Sequence, residues 1–150
     1  FKDFLRHHWE EVNKRSGQPF GNTLFDRASF NYDTEPSCRA VVAARQMNAE
    51  LEHRFFELVQ HHFYVKNEDP TQVAFYAPIC AALGLDFSTF SALFESEEIK
   101  TATQAEFALN RQWGVRGFPT VLLQKGNQLH LLANGFVTFE QLWAGVQAQQ

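Results

Sequence analysis

The chain has only two cysteines, Cys38 and Cys80, and no Cys-x-x-Cys pair anywhere in its 150 residues. Two distant thiols make no disulfide framework, and whether they bridge depends on a separation that sequence does not give. Scarce cysteine leans toward a reducing compartment. The expected location is therefore the cytoplasm, with the periplasm as alternative because a leader could already have been removed. No apolar run approaches the roughly 20 residues that span a bilayer, so no membrane partner is expected. Basic runs are missing too: 13 Lys and Arg stand against 17 Asp and Glu, a net charge of −4, and no nucleic-acid partner is expected. There is no glycine-rich phosphate loop and no Gly-x-Ser-x-Gly elbow, and the carboxylates form no paired acid–base motif.

Six histidines are present, but they do not cluster. His7 and His8 sit beside Glu10 and Glu11, and Glu57 lies four residues before His61. A helical pair of this kind supplies two ligands at most, where a stable zinc site takes three or four, so no metal is expected. Solvated helix faces account for these residues, and His62, inside an apolar stripe, reads as a satisfied, partly buried histidine.

Phenylalanine is abundant at 16 residues, pointing to a core of large rings or an apolar surface groove. The pattern is helical from Phe1 to Arg15, up to the stop at Ser16-Gly17 and Pro19. Asn22–Phe25 suggests a short turn. Pro36, preceded by Asp33, Thr34 and Glu35, opens a helix to about Met47. Leu51, Phe55, Leu58, Val59, His62 and Phe63 mark the next, running to about Asn67. Further helices are expected from Asp69-Pro70-Thr71 to Gly84, from Ser88 to Glu95 and from Ser96 to Trp113, the last with Ile99, Ala102, Leu109 and Trp113 inward. After Gly114 the period becomes extended: strands at Thr120–Gln124 and Gln128–Leu132 flank a Lys125-Gly126-Asn127 turn. Thr138, with Gln141 three residues on, caps a final helix that presents Phe139, Leu142, Trp143 and Val146 to the sheet.

Between helix and strand lies the most informative segment, Gly114-Val115-Arg116-Gly117-Phe118-Pro119-Thr120. Proline cannot donate to a sheet ladder, so it belongs at a strand's first residue, and at such a corner it is a candidate for a cis bond. The segment resembles the cis-proline loop of thioredoxin-fold proteins. With the strand, hairpin and capped helix that follow, it matches the second half of that fold.

The helices ahead of this loop resemble the insertion that distinguishes DsbA-like proteins. Glu35–Arg45, Arg6-His7-His8-Trp9, Ser16–Gly21 and Phe63-Tyr64-Val65 are similar to the predicted bacterial protein-disulfide isomerase branch. The resemblance implies an α/β, mostly helical, thioredoxin-like fold with an inserted helical domain, here helices followed by strand–strand–helix. The implied domains are residues 1–113, helical, and residues 114–150, the C-terminal half of the thioredoxin fold. It implies a thiol–disulfide oxidoreductase acting on protein or peptide thiols and disulfides, with Phe118, Pro119 and Thr120 holding substrate. In that family a Cys-x-x-Cys thiolate attacks a substrate disulfide and its partner thiol resolves the mixed disulfide.

Here no such pair exists, so little or no turnover is expected of this chain alone, and no catalytic residue is visible. Cys38, in the first turn of a helix beside Arg39, is the one candidate thiol. A small packed residue at a helix start explains it better, and Cys80, on a stripe with Ile79 and Leu83, reads as core. The chain opens inside a helical pattern without an initiating methionine, as a piece of a longer protein would. Its hairpin is expected to leave a strand edge for an N-terminal segment or another copy to complete. Two alternatives remain. One is a glutathione-dependent enzyme like the kappa-class transferases and hydroxychromene-carboxylate isomerases, on the resemblance of Asn22–Arg27, with glutathione as cofactor where otherwise none is expected. The other is a non-catalytic peptide-binding module or truncated fragment.

Overall fold

The computed structural model describes residues 1–150 as seven α-helices and a two-stranded sheet. They form two compact units, Phe1–Gln104 and Ala105–Gln150, whose boundary falls inside the sixth helix.

In the first unit, α1 (Lys2–Ser16) buries Leu5 and Trp9 and ends at Gly17, whose positive φ of 71° lets its N–H reach the Asn13 carbonyl. Phe1 and Phe4 stay exposed. Trp9 sits amid the rings of Phe20, Phe25, Phe63 and Tyr64, with centroids 5.1–5.6 Å away. This satellite cluster is closed by Leu24 from a 3₁₀ turn at Thr23–Asp26.

The main core lies among α2 (Glu35–Met47), α3 (Glu52–Gln60), α4 (Ala77–Leu83), α5 (Phe87–Glu95) and the start of α6 (Glu97–Gln112). Pro36 stands in the first turn of α2, where its missing N–H costs nothing. Alanines 40, 43 and 44 are fully buried and let α2 approach its neighbours closely. Phe55, Tyr76, Phe90 and Phe94 fill the centre with ring centroids 5.3–6.2 Å apart, and the Tyr76 hydroxyl donates to the Pro70 carbonyl at 2.6 Å.

Two helices depart from their periodicity. The stripe expected to run to Asn67 is α-helical only to Gln60, then widens into a π turn at His61–Val65. Asn67 closes that turn at φ 56°, the one non-glycine residue with positive φ. Its buried amide offsets the steric cost. The Oδ1 atom accepts from the Thr23 hydroxyl and the Leu24 N–H at 3.1 and 3.2 Å, and Nδ2 donates to the Phe63 and Tyr64 carbonyls. The helix expected from Asp69 instead begins at Ala77, after a 3₁₀ turn at Val73–Tyr76. The Asp69 carboxylate accepts from the N–H and hydroxyl of Thr71, making a local turn, and Pro78 fits only the first turn of α4.

The second unit holds the end of α6, then β1 (Thr120–Lys125), β2 (Gln128–Asn134) and α7 (Phe139–Ala148). The strands pair antiparallel through a two-residue turn with Gly126 at φ 61°. The register skips Leu132: Val121 faces Ala133 whereas Leu122 faces Leu131. That bulge reverses the inward–outward alternation for the last two residues of β2. Thr138 and Gln141 form the reciprocal capping box of α7. Gly145 of α7 meets Leu132, a built Cβ lying 3.4 Å from its Cδ2.

Two expected faces are corrected here. Leu142, Gly145 and Val146 lie on the less exposed side of α7. Phe139 and Trp143, four residues apart, stack on each other on an exposed side instead. In α6 the buried residues are Ile99 and Thr103, whereas Leu109 and Trp113 remain exposed.

Two measurements check this account. The Gly21 N–H donates to the Tyr64 carbonyl at 2.7 Å, and an added Cβ would lie 2.2 Å from the Val65 carbonyl oxygen. Gly21→Ala should therefore cost about 3 kcal/mol, a fall of about 6–12 °C in the thermal midpoint by circular dichroism. An unchanged midpoint would refute that close approach. Burial raises the Cys80 thiol from 9.0 to about 11 and the Tyr64 phenol from 10.0 to about 12. Both groups ionise first in the unfolded chain, so their contribution is intact below pH 9 and is lost as pH rises through 9–12. Urea midpoints should fall over that range, and less steeply in Cys80→Ala.

Candidate functional site

The site is built at the junction of α6 and β1. Helix α6 ends in a six-residue Schellman closure: the Val115 N–H bonds to the Asn110 carbonyl and the Gly114 N–H to that of Arg111, with Gly114 at φ 80°. This turns the chain sharply into Val115-Arg116-Gly117. The Phe118–Pro119 peptide bond that follows is cis. Two hydrogen bonds then fix the corner. The Thr120 hydroxyl donates to the Gly117 carbonyl at 2.6 Å, and the Gly135 N–H donates to the Pro119 carbonyl at 2.8 Å. The second bond continues the ladder one step beyond the Thr120–Asn134 pair.

Phe118, Pro119 and Thr120, the residues expected to hold substrate, are thus contiguous on a braced corner. The Phe118 ring is 85% exposed, so it contributes little to the hydrophobic stability of the unit. Phe136, just past Gly135, is exposed by half. Phe118 and Phe136 are the residues next beyond the bonded Pro119–Gly135 pair on its two strands, and both are exposed. The outer edge of β1 has no strand partner within the chain, leaving alternate N–H and C=O groups available. Trp113, Arg116, Thr120, Leu122, Leu131 and Asn134 line a neighbouring cavity of about 190 Å³. Arg116 and Asn134 went unnoticed in the sequence. Arg116 lay in plain view within the Gly–Pro segment, but nothing local marks Asn134, because the bulge at Leu132 sets its face.

The remaining candidates lie elsewhere, in the first unit. Cys38 is half-buried in the first turn of α2, its N–H bonded to the Thr34 carbonyl. Its neighbour Arg39 is committed elsewhere, to the Glu35 carboxylate at 3.1 Å, the Phe94 carbonyl and the face of the Phe94 ring. Cys80 is fully buried in the main core, and no disulfide joins the two. His62 is 8% exposed and satisfied by Glu68 at 2.7 Å. No group of three or more histidine, cysteine or carboxylate side chains is placed to hold a metal ion. No helix is long and apolar enough to cross a membrane.

A cis-proline corner entering an antiparallel hairpin, with a capped helix behind it, defines the C-terminal part of a thioredoxin-like fold. The family profile of the DSBA-like thioredoxin domain matches residues 12–147, and the chain belongs to that family. Among solved structures it is similar to a candidate protein disulfide isomerase from Nitrosomonas europaea. The two share 34% identity and a TM-score of 0.92 over 98% of this chain and 72% of that one. It is also similar in fold to the cytosolic disulfide reductase DsbM from Pseudomonas aeruginosa, at 24% identity and TM-score 0.80 over 99% of this chain and 76% of that one. The same reductase solved with GSH aligns at 25% identity and TM-score 0.75, over 97% of this chain and 75% of that one. No curated protein matches the chain significantly.

Thiol accessibility follows from these placements. At pH 8 the native chain should take up at most one alkyl group from iodoacetamide, with Cys80 unmodified in the peptide map, and two in urea. Rapid native alkylation of Cys80 would contradict its burial and raised pKa.

Proposed function

We propose that this chain holds the substrate during thiol–disulfide exchange, with protein or peptide thiols and disulfides, or glutathione, as its partners. The observation that carries this reading is the braced Gly117–Thr120 corner, which presents the exposed Phe118 ring at the head of an open strand edge. An extended peptide can add its own backbone to such an edge while a ring gathers its apolar side chains. The printed names of the similar structures, a candidate disulfide isomerase and a disulfide reductase, the latter also solved with GSH, support the same class of substrate.

Exchange needs a thiolate that attacks one sulfur of a disulfide and a second thiol that releases the mixed disulfide. Cys38 and Cys80 sit on different helices without a Cys-x-x-Cys spacing, so neither can resolve the other as an adjacent pair would. The redox-active pair is therefore not among these residues, and the contribution of this chain is positioning.

The test uses a blocked, uncharged peptide centred on S-methylcysteine, which cannot react. The chain should bind it, and Phe118→Ala should weaken binding about tenfold by calorimetry. Absence of binding, or an unchanged affinity in the variant, would overturn the reading. Turnover of a model disulfide should be negligible and unaffected by Cys38→Ala. Turnover abolished by that substitution would instead make Cys38 the nucleophile.

A further inference from the structure

The cavity beside the corner has a chemistry that an apolar peptide does not use. We infer that Arg116 and Asn134 form a carboxylate-binding subsite, taking the carboxylate of a small acidic thiol or of an acidic residue next to a substrate cysteine. The inference rests on reading the Phe118–Pro119 corner as the substrate site, and it adds a preference for charge.

Four observations carry it. First, Arg116 lines the cavity yet takes part in no ion pair, hydrogen bond or cation–π contact within the chain. An exposed guanidinium with all its donors unengaged is a fork suited to a carboxylate. Second, Asn134 supplies an amide that is likewise unengaged, and the bulge at Leu132 is what brings it here. With the register unbroken, Asn134 would share a face with His130 rather than with Leu131 and Leu122. Third, the Thr120 hydroxyl already donates to the Gly117 carbonyl, so it cannot donate to an anion, and the cavity lining contains no carboxylate of its own. Arg116 and Asn134 are the side chains left to recognise negative charge, while Leu122, Leu131 and the Trp113 indole offer an apolar wall to the adjoining methylenes. Fourth, the cavity of about 190 Å³ is smaller than the ~300–1,000 Å³ of a complete small-molecule site, which fits one terminal group of a ligand and not the whole.

Its position links it to the corner. Arg116 lies three residues before Pro119, Asn134 faces Thr120 across the ladder, and Gly135 bonds directly to the Pro119 carbonyl. A ligand whose sulfur sits at Phe118–Pro119 therefore has a cation and an amide within reach of its neighbouring groups. The rest of the chain is acidic, with a net charge of −4 overall, so this is a local attraction working against the general charge.

The probes are S-methylglutathione against its diethyl ester, and blocked S-methylcysteine peptides flanked by Glu against the same peptides flanked by Gln, all titrated into the full chain. The acid should bind about fivefold tighter than its uncharged counterpart in at least one pair, as expected for an ion pair at a partly exposed site. Preference in the glutathione pair alone identifies a small thiol as the source of the carboxylate, and preference in the peptide pair alone identifies acidic protein substrates. Arg116→Gln should abolish the preference, Arg116→Lys should keep part of it, and 0.5 M NaCl should reduce it. Quenching of Trp113 fluorescence, lost in Trp113→Phe, should accompany binding of the acid. Equal binding of acid and neutral forms, or a preference that survives in Arg116→Gln, would overturn the subsite. If the neutral peptide still binds and Phe118→Ala weakens it, only the subsite fails; if no probe binds, both readings fail.

Discussion

One backbone hydrogen bond, from the Gly135 N–H to the Pro119 carbonyl at 2.8 Å, sets the arrangement of everything proposed to be functional. Proline contributes no donor, so the ladder can be extended past Thr120 only through the proline's carbonyl. Gly135 provides the partner, at φ 98°, where most side chains would be strained. This bond holds the strand that leaves the corner against the strand that returns to it. Thr120 and Asn134 consequently pair on one side of this bond, and Phe118 and Phe136 are the next residues on the other.

The two units are stabilised in different ways. In Phe1–Gln104 a set of rings is fully enclosed: Phe55, Tyr76 and Phe90 have no exposed surface, and burial of each contributes roughly 1.5–3 kcal/mol. In Ala105–Gln150 the only buried hydrophobic residue is Ala133, while Phe118, Leu131, Phe139 and Trp143 are exposed. A two-stranded hairpin with α7 and the end of α6 leaves such side chains exposed. The second unit therefore depends on hydrogen bonds and caps more than on burial: the Schellman closure at Gly114, the Thr138–Gln141 box and the Thr120–Gly117 bond. Exposed rings on a braced backbone suit binding, because the surface is available without the corner having to reorganise.

Much of this was legible because its causes are local. A glycine after a helical stripe, Thr138 three residues before Gln141, and glycine in a two-residue hairpin each act within a few positions, and the structure shows all three. The family was legible for the same reason, since the Gly–Pro corner and the helix starts are short contiguous segments. What escaped was set by partners distant in sequence. The left-handed Asn67 is held by Thr23 and Leu24, more than 40 positions earlier, and its amide also donates to the Phe63 and Tyr64 carbonyls of the π turn ahead of it. In α7 the apolar residues are numerous enough to suggest a wide inner stripe, yet Leu132 meets Gly145, and the Phe139–Trp143 pair is left outside.

The bulge shows most clearly why the site could be only half read. Gln128–Leu132 reads as a strand, but the register of its far end depends on pairing with Val121 and Leu122, and one unpaired residue reverses every assignment beyond it. Before Leu132 the alternation places Leu129 and Leu131 on the cavity face; after it, Ala133 turns inward and Asn134 takes the cavity side. Asn134 thereby arrives opposite Thr120 on the cavity side, and the small Ala133 arrives where the sheet is buried. A change of one position in pairing thus decides which side chains of the strand end face the cavity, and the amino-acid pattern of the strand alone carries no trace of it.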